Sequence, residues 1–136
     1  DEMLAHLLSA EAEQAKSLLP ALAAYHPGEI AKRLESVFRQ SRDLRSRSRA
    51  VWAMGELAGR RGLAFMIETA SSQEQNLRRL SASALGKIHD AIAAEDDDLQ
   101  RQLDRARDAL EKLCRDRALQ VRQYAEKSLR KWKEKN

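Results

Sequence analysis

Residues 78–88 read RRLSASALGKI, and two other stretches repeat the same grammar: RSRAVWAMGEL at 47–57 and RQYAEKSLRKW at 122–132. Each copy opens on an arginine (Arg47, Arg78, Arg122). Small residues follow three and six places on: Ala50 and Ala53, Ser81 and Ala84, Ala125 and Ser128. Larger apolar residues stand at seven and ten: Met54 and Leu57, Leu85 and Ile88, Leu129 and Trp132. Positions three to four apart share one face of a helix. The small residues therefore let a second helix come close, and the large ones fill the space beside it. Gly55 and Gly86 occupy one register, where the third copy has Arg130. A helical pattern repeated along a chain is the signature of stacked units, each burying its apolar face only against its neighbours.

Working outward, each motif helix is preceded by another amphipathic stretch. Ile30, Leu34, Val37 and Phe38 stripe residues 29–40, and Leu63, Met66, Ile67 and Ala70 stripe 63–71. Leu99, Leu103, Ala106, Leu110 and Leu113 form a heptad-like seam in 98–116. The predicted pairs are 29–40 with 44–58, 63–71 with 75–93, and 98–116 with 119–133. Gly59 and Gly62 bracket a tight basic turn through Arg60 and Arg61. Asp96 to Asp98 mark a helix start, where carboxylates meet the positive end of the helix. Motif spacing is 31 residues and then 44; the excess fits the extra length of the second motif helix and of the helix after it, and reads as two exposed, projecting helix ends. Upstream, helices are predicted over 2–9 and 10–25, the second kinked or restarted at Pro20. His26-Pro27-Gly28 reads as a break.

Composition agrees with helices and bounds the rest. Hydrophobic residues make up 43% of the 136, charged residues 34% and aromatics 4%, with five glycines and two prolines. That mixture suits solvated helices and neither strands nor disorder. No apolar run approaches a membrane span of about 20 residues, so no membrane is expected. The single cysteine, Cys114, excludes an internal disulfide, and the expected setting is reducing and cytoplasmic. A first residue of Asp1 rather than Met fits a domain cut from a longer protein. The net charge of +4 is unevenly spread: residues 32–61 carry nine basic side chains against three acidic ones, and residues 1–31 one against five.

The repeated segments resemble HEAT-like repeats, two-helix α-solenoid units whose second helix often carries valine-arginine, then alanine, then alanine-leucine-glycine. Val121-Arg122 with Ala125, Leu77-Arg78 with Ala84-Leu85-Gly86, and Arg47 with Ala53-Met54-Gly55 carry the likeness, over residues 29–133. Ser46 departs from the usual valine, and Arg130 from the glycine, which suits a terminal helix facing water. The resemblance implies an all-α, right-handed α-α superhelix of about three helix pairs. Residues 1–28 form capping N-terminal helices, and 29–136 the repeat domain. It implies a scaffold for protein–protein interaction that binds a protein partner or neighbouring domain. Leu77-Arg78-Arg79-Leu80 and Val121-Arg122-Gln123-Tyr124-Ala125 are also similar to repeat segments appended to RecQ-type DNA helicases, implying a helicase-associated, DNA- or RNA-binding role.

For chemistry, the basic cluster Arg39, Arg42, Arg45, Arg47, Arg49, Arg60 and Arg61 is the main candidate. Within it, Arg42, Arg45, Arg49, Trp52, Arg60 and Arg61 form the expected nucleic-acid- or anion-binding set. Arg42, Arg45, Arg49 and Trp52 fall on one face if the helix begins early. The bland alternative has Trp52 wedged between repeats with solvated arginines. Arg78 and Arg122 read as ties between repeats, and Trp132 as core. No enzyme is expected: His6, His26 and His89 lie far apart, none precedes Glu, and phosphate loop and nucleophile motifs are missing. Catalytic residues, cofactor and metal are accordingly expected to be none. His89-Asp90 reads as a surface step and Cys114 as a half-buried helix residue. Two functions compete: docking of a protein partner or neighbouring domain, and nucleic-acid binding through the arginine-rich face. A third, a solenoid DNA glycosylase, lacks an identifiable catalytic aspartate.

Overall fold

The computed structural model describes residues 2–9, 11–24, 27–90 and 97–134. The described residues form α1 (Glu2–Ser9), α2 (Ala12–Leu22), α3 (Pro27–Gln40), α4 (Leu44–Leu57), a 3-10 turn (Gly59–Gly62), α5 (Leu63–Thr69), α6 (Gln75–Asp90), α7 (Asp97–Leu113) and α8 (Leu119–Glu134). The protein is all-helical, with no strand among the described residues.

Most helix limits follow from local chemistry. Asp43 caps α4: its carboxylate accepts from the Ser46 amide at 3.0 Å and the Ser46 hydroxyl at 2.8 Å, satisfying a donor that the first turn leaves orphaned. Gly59, at φ 55°, turns the chain out of α4 in the left-handed region that favours glycine. Gly59→Ala is therefore expected to cost about 1 kcal/mol and Gly59→Asn distinctly less, read by chemical denaturation.

Three boundaries differ from expectation. The chain does break between α2 and α3, but Pro27 and Gly28 already belong to the first turn of α3, because proline suits that turn, where its missing amide is not needed. Pro20 lies within α2, which continues to Leu22 without restarting. So near the C-terminal end, proline forfeits only the hydrogen bond to the Lys16 carbonyl. The seam helix stops at Leu113, where the chain turns through Cys114 to Asp116. Tyr25, His26, the expected α6 extension past Asp90 and the expected start at Asp96 lie outside the described residues.

Packing follows the repeated motif. α4 packs on α6 and α6 on α8, while α3, α5 and α7 each lie against the motif helix that follows. Ala50, Ala53, Ser81, Ala84, Ala125 and Ser128 are all buried in these contacts. The two glycines mark where consecutive motif helices come closest. A β-carbon on Gly55 would sit 2.6 Å from that of Ala84, and one on Gly86 2.5 Å from the Ser128 hydroxyl. So the eighth position of one motif helix receives the sixth of the next. Arg130 has no such neighbour and is exposed.

Several polar groups inside this stack are satisfied across it, although Arg107 Nε on α7 is buried without a hydrogen-bond partner among the described residues. Ser128 Oγ donates to the Ala82 carbonyl at 2.7 Å, Trp132 Nε1 to the Leu85 carbonyl at 3.1 Å, and the Thr69 and Ser81 hydroxyls meet at 2.5 Å. Trp132 is core, as its register implied. The seam Leu99, Leu103, Ala106, Leu110 and Leu113 is buried within the chain, in α7, which packs on α5, α6 and α8. Phe38 and Phe65 join α3 to α5 edge to face, with centroids 4.9 Å apart.

Candidate functional site

The motif arginines serve the stack. Arg47 lies over the Phe38 ring, 4.6 Å from its centroid, covering α3 with a cation–π contact. Arg78 is almost fully buried. It grips Asp116 at 2.7 and 3.3 Å, and its Nη1 donates to the Ser72 and Gln73 carbonyls at 3.0 and 2.9 Å. Arg122 donates to the Asp116 carbonyl at 2.7 Å. Arg78 thereby ties the α5–α6 and α7–α8 connections together, the tie between repeats expected of it, whereas Arg122 bonds within its own α7–α8 pair and not across repeats. Arg39 is also occupied. A hydrogen bond to Glu68, at 2.8 Å, outweighs burial and keeps its guanidinium above its ordinary pKa, with Glu35 at 3.7 Å assisting.

The remaining arginines of the cluster do not share one surface. Arg45, Arg49 and Trp52 line a groove of about 550 Å³ bounded by α2, α4 and α6. Arg42 does not: α4 begins at Leu44 behind its Asp43 cap, leaving Arg42 exposed in the connection that precedes it. Arg60 and Arg61 lie in the 3-10 turn at the opposite end of α4. Arg61 contributes to a different groove of about 570 Å³ with Glu29, Glu35, Lys32, Ala31 and Phe65. Folding thus separates a cluster that is continuous in sequence, because α4 carries its two ends about 20 Å apart.

In exchange, it recruits residues from elsewhere. Lys16 comes from α2, and Asn76, Arg79 and Leu80 from α6. Four cationic side chains, Lys16, Arg45, Arg49 and Arg79, line the groove, and no carboxylate does. Among the described residues, none of the four has an acidic partner at ion-pair distance. One turn beyond Trp52, Glu56 pairs with Lys87 of α6, outside the groove lining.

Two of the four cations are held in place. Arg49 Nη1 donates to the Leu7 carbonyl at 3.0 Å, near the negative end of α1, and its guanidinium lies 5.6 Å from the Trp52 ring centroid. Trp52 is half-buried, packed on the core while lining the groove. Asn76 fixes Arg79. Its Oδ1 accepts from Nε at 3.2 Å and Nη2 at 2.5 Å, while its Nδ2 donates to Ser48 Oγ on α4 at 2.9 Å. Arg79 then reaches α8, 5.6 Å from the centroid of the Tyr124 ring.

Arg79 carried a sequence signal, standing one place after the motif arginine and so about 100° round the helix from it. Lys16 carried none, because nothing local sets how α2 lies on α4.

Among the described residues no group of three or more His, Cys, Asp or Glu side chains could hold a metal ion. No described helix is long and apolar enough to cross a membrane. No family model matches the chain, and no curated protein matches it.

Proposed function

We propose that this chain is a non-catalytic interaction module, an α-solenoid of HEAT-like pairs wound as a right-handed superhelix, whose α2–α4–α6 groove binds nucleic acid through its phosphates. The observation that carries this reading is the groove lining: four cations, none neutralised by a carboxylate, around an indole. Such a surface is complementary to a polyanion and unfavourable for a cationic ligand. Arginine forks engage phosphate oxygens at two points, and three of the four cations are arginines. The two-helix units repeated at Gly55–Ala84 and Gly86–Ser128 support the solenoid reading.

Binding of an oligonucleotide, followed by fluorescence anisotropy, is expected to weaken with salt at a log–log slope of roughly 0.7 to 0.9 per phosphate neutralised. The double variant Arg45→Glu/Arg79→Glu is expected to bind at least tenfold more weakly and to lower that slope by about 2. Arg49 is left in place because it also secures α1. Wild-type affinity in the double variant, with helicity retained, rejects the reading.

A second reading, docking of a protein partner or neighbouring domain, is favoured by the other groove. There Met54, Ala64 and Phe65 form an apolar floor beside charges of both signs, Glu29, Lys32, Glu35 and Arg61. A mixed rim around an apolar floor is what protein interfaces present.

A further inference from the structure

Resting on the nucleic-acid reading of the groove, we infer that its ligand is a single-stranded polynucleotide, crossing from α4 over α6 to α8 with bases stacked on Trp52 and Tyr124. Trp52 lines the groove, and Tyr124, 39% exposed, is one of three exposed large apolar side chains among the described residues. Leu44, another of the three, also lines the groove. Arg79 links the two rings in space: it lines the groove with Trp52, and its guanidinium lies against Tyr124.

Each ring therefore has an arginine over it, Arg49 for the indole and Arg79 for the phenol, both 5.6 Å from the ring centroid. This alternation of aromatic face and guanidinium is the arrangement that single strands use, with bases stacking while phosphates follow the cations. A duplex hides its base faces within its own stack and leaves an exposed tyrosine without a partner. The cations also line the walls of a concavity of about 550 Å³. That shape admits nucleotide-sized groups, whereas entry into a major groove about 12 Å wide takes a protruding helix or ribbon. The Ser48–Asn76–Arg79 hydrogen bonds hold the central guanidinium ready, reducing the ordering needed on binding.

The test uses the whole chain with short oligothymidylate, oligouridylate, a blunt duplex of equal length, and polyglutamate. Both single strands are expected to bind about tenfold more tightly than the duplex and to quench tryptophan emission. The quenching should vanish in Trp52→Phe, where the buried Trp132 remains as internal reference. Tyr124→Ala, at an exposed position that leaves the fold intact, is expected to lose about tenfold in single-strand affinity and nothing in duplex affinity. Preference for deoxyribose or ribose strands assigns the natural source and is consistent with the inference either way. Equal binding of strand and duplex without quenching overturns the stacking inference while leaving the phosphate-binding function standing. Binding of polyglutamate as tight as that of oligothymidylate also overturns it, since charge alone then suffices. Failure of every nucleic acid to bind overturns the parent reading as well.

Discussion

Gly55→Val is expected to destabilise the protein by about 3 kcal/mol, at the upper end of what overpacking a close-packed site costs, lowering Tm by about 10 °C. The reason is the seat that Gly55 provides for Ala84. A β-carbon at position 55 would lie 2.6 Å from the Ala84 β-carbon and 3.2 Å from its α-carbon, so α4 and α6 must separate along their contact. Backbone cannot swing aside as a flexible side chain can. Replacing a helical glycine by valine recovers only about 0.5 kcal/mol of propensity, less than the packing lost. At Gly86 the first atom met is the Ser128 hydroxyl. Gly86→Ala can therefore be accommodated in part by turning that hydroxyl off the Ala82 carbonyl, at the expense of one buried hydrogen bond. The same-register change Arg130→Ala is expected to be silent, because Arg130 is exposed. Thermal unfolding of the three variants checks the ordering. Equal effects at 55 and 130 refute the glycine-seat explanation.

Arg78→Ala is expected to cost a similar amount, about 3 kcal/mol, as when one partner of a buried ion pair is removed. Both side chains of the pair are only 10% exposed. The deletion leaves the Asp116 carboxylate and the Ser72 and Gln73 carbonyls without the guanidinium that satisfies them. Arg78→Met/Asp116→Leu is expected to recover part of the loss, since an apolar pair leaves no charge stranded.

The same site sets an acid limit. Burial acts to raise the Asp116 carboxyl, but the Arg78 guanidinium, the Ala118 amide at 2.9 Å and the nearby Arg117 together hold it below its ordinary value. Asp43 is held low by the Ser46 hydroxyl and amide. A carboxyl depressed on folding means that the native state binds fewer protons than the unfolded chain. Its contribution is complete above the unfolded value of about 4 and is lost as pH falls through the folded value. Stability is therefore expected to fall below about pH 4, and Arg78→Met to flatten that decline. A decline of unchanged steepness in the variant excludes the ion pair as its source.

How legible these features were in the sequence varies with their range. The stacking register was readable because Ala53, Ala84 and Ser128 repeat in local periodicity, and their burial follows from helix geometry alone. The missing glycine at Arg130 likewise foretold an exposed position. Pro27 was misread because proline marks breaks and helix starts alike, and only the neighbouring structure distinguishes them. In the groove, Arg45, Arg49 and Trp52 were foreseen together because they lie three to four residues apart on one helix. Arg60 and Arg61 were grouped with them by sequence proximity, which the length of α4 overrides, and Arg42 by a helix face that the Asp43 cap cuts short.

The sequence by itself determined the all-helical class, the motif helices and the small-residue strip along which they pack, since each depends on spacings within one or two turns. Only the tertiary structure decided which cations act together. Lys16 and Arg79 stand 63 residues apart and meet at the groove because α2 and α6 both border α4. It also decided which arginines are already engaged, Arg39, Arg47 and Arg78 by side chains on other helices or connections. Charge has no periodicity that reveals its partner: an arginine reads the same in sequence whether a carboxylate lies 3 Å away or none does.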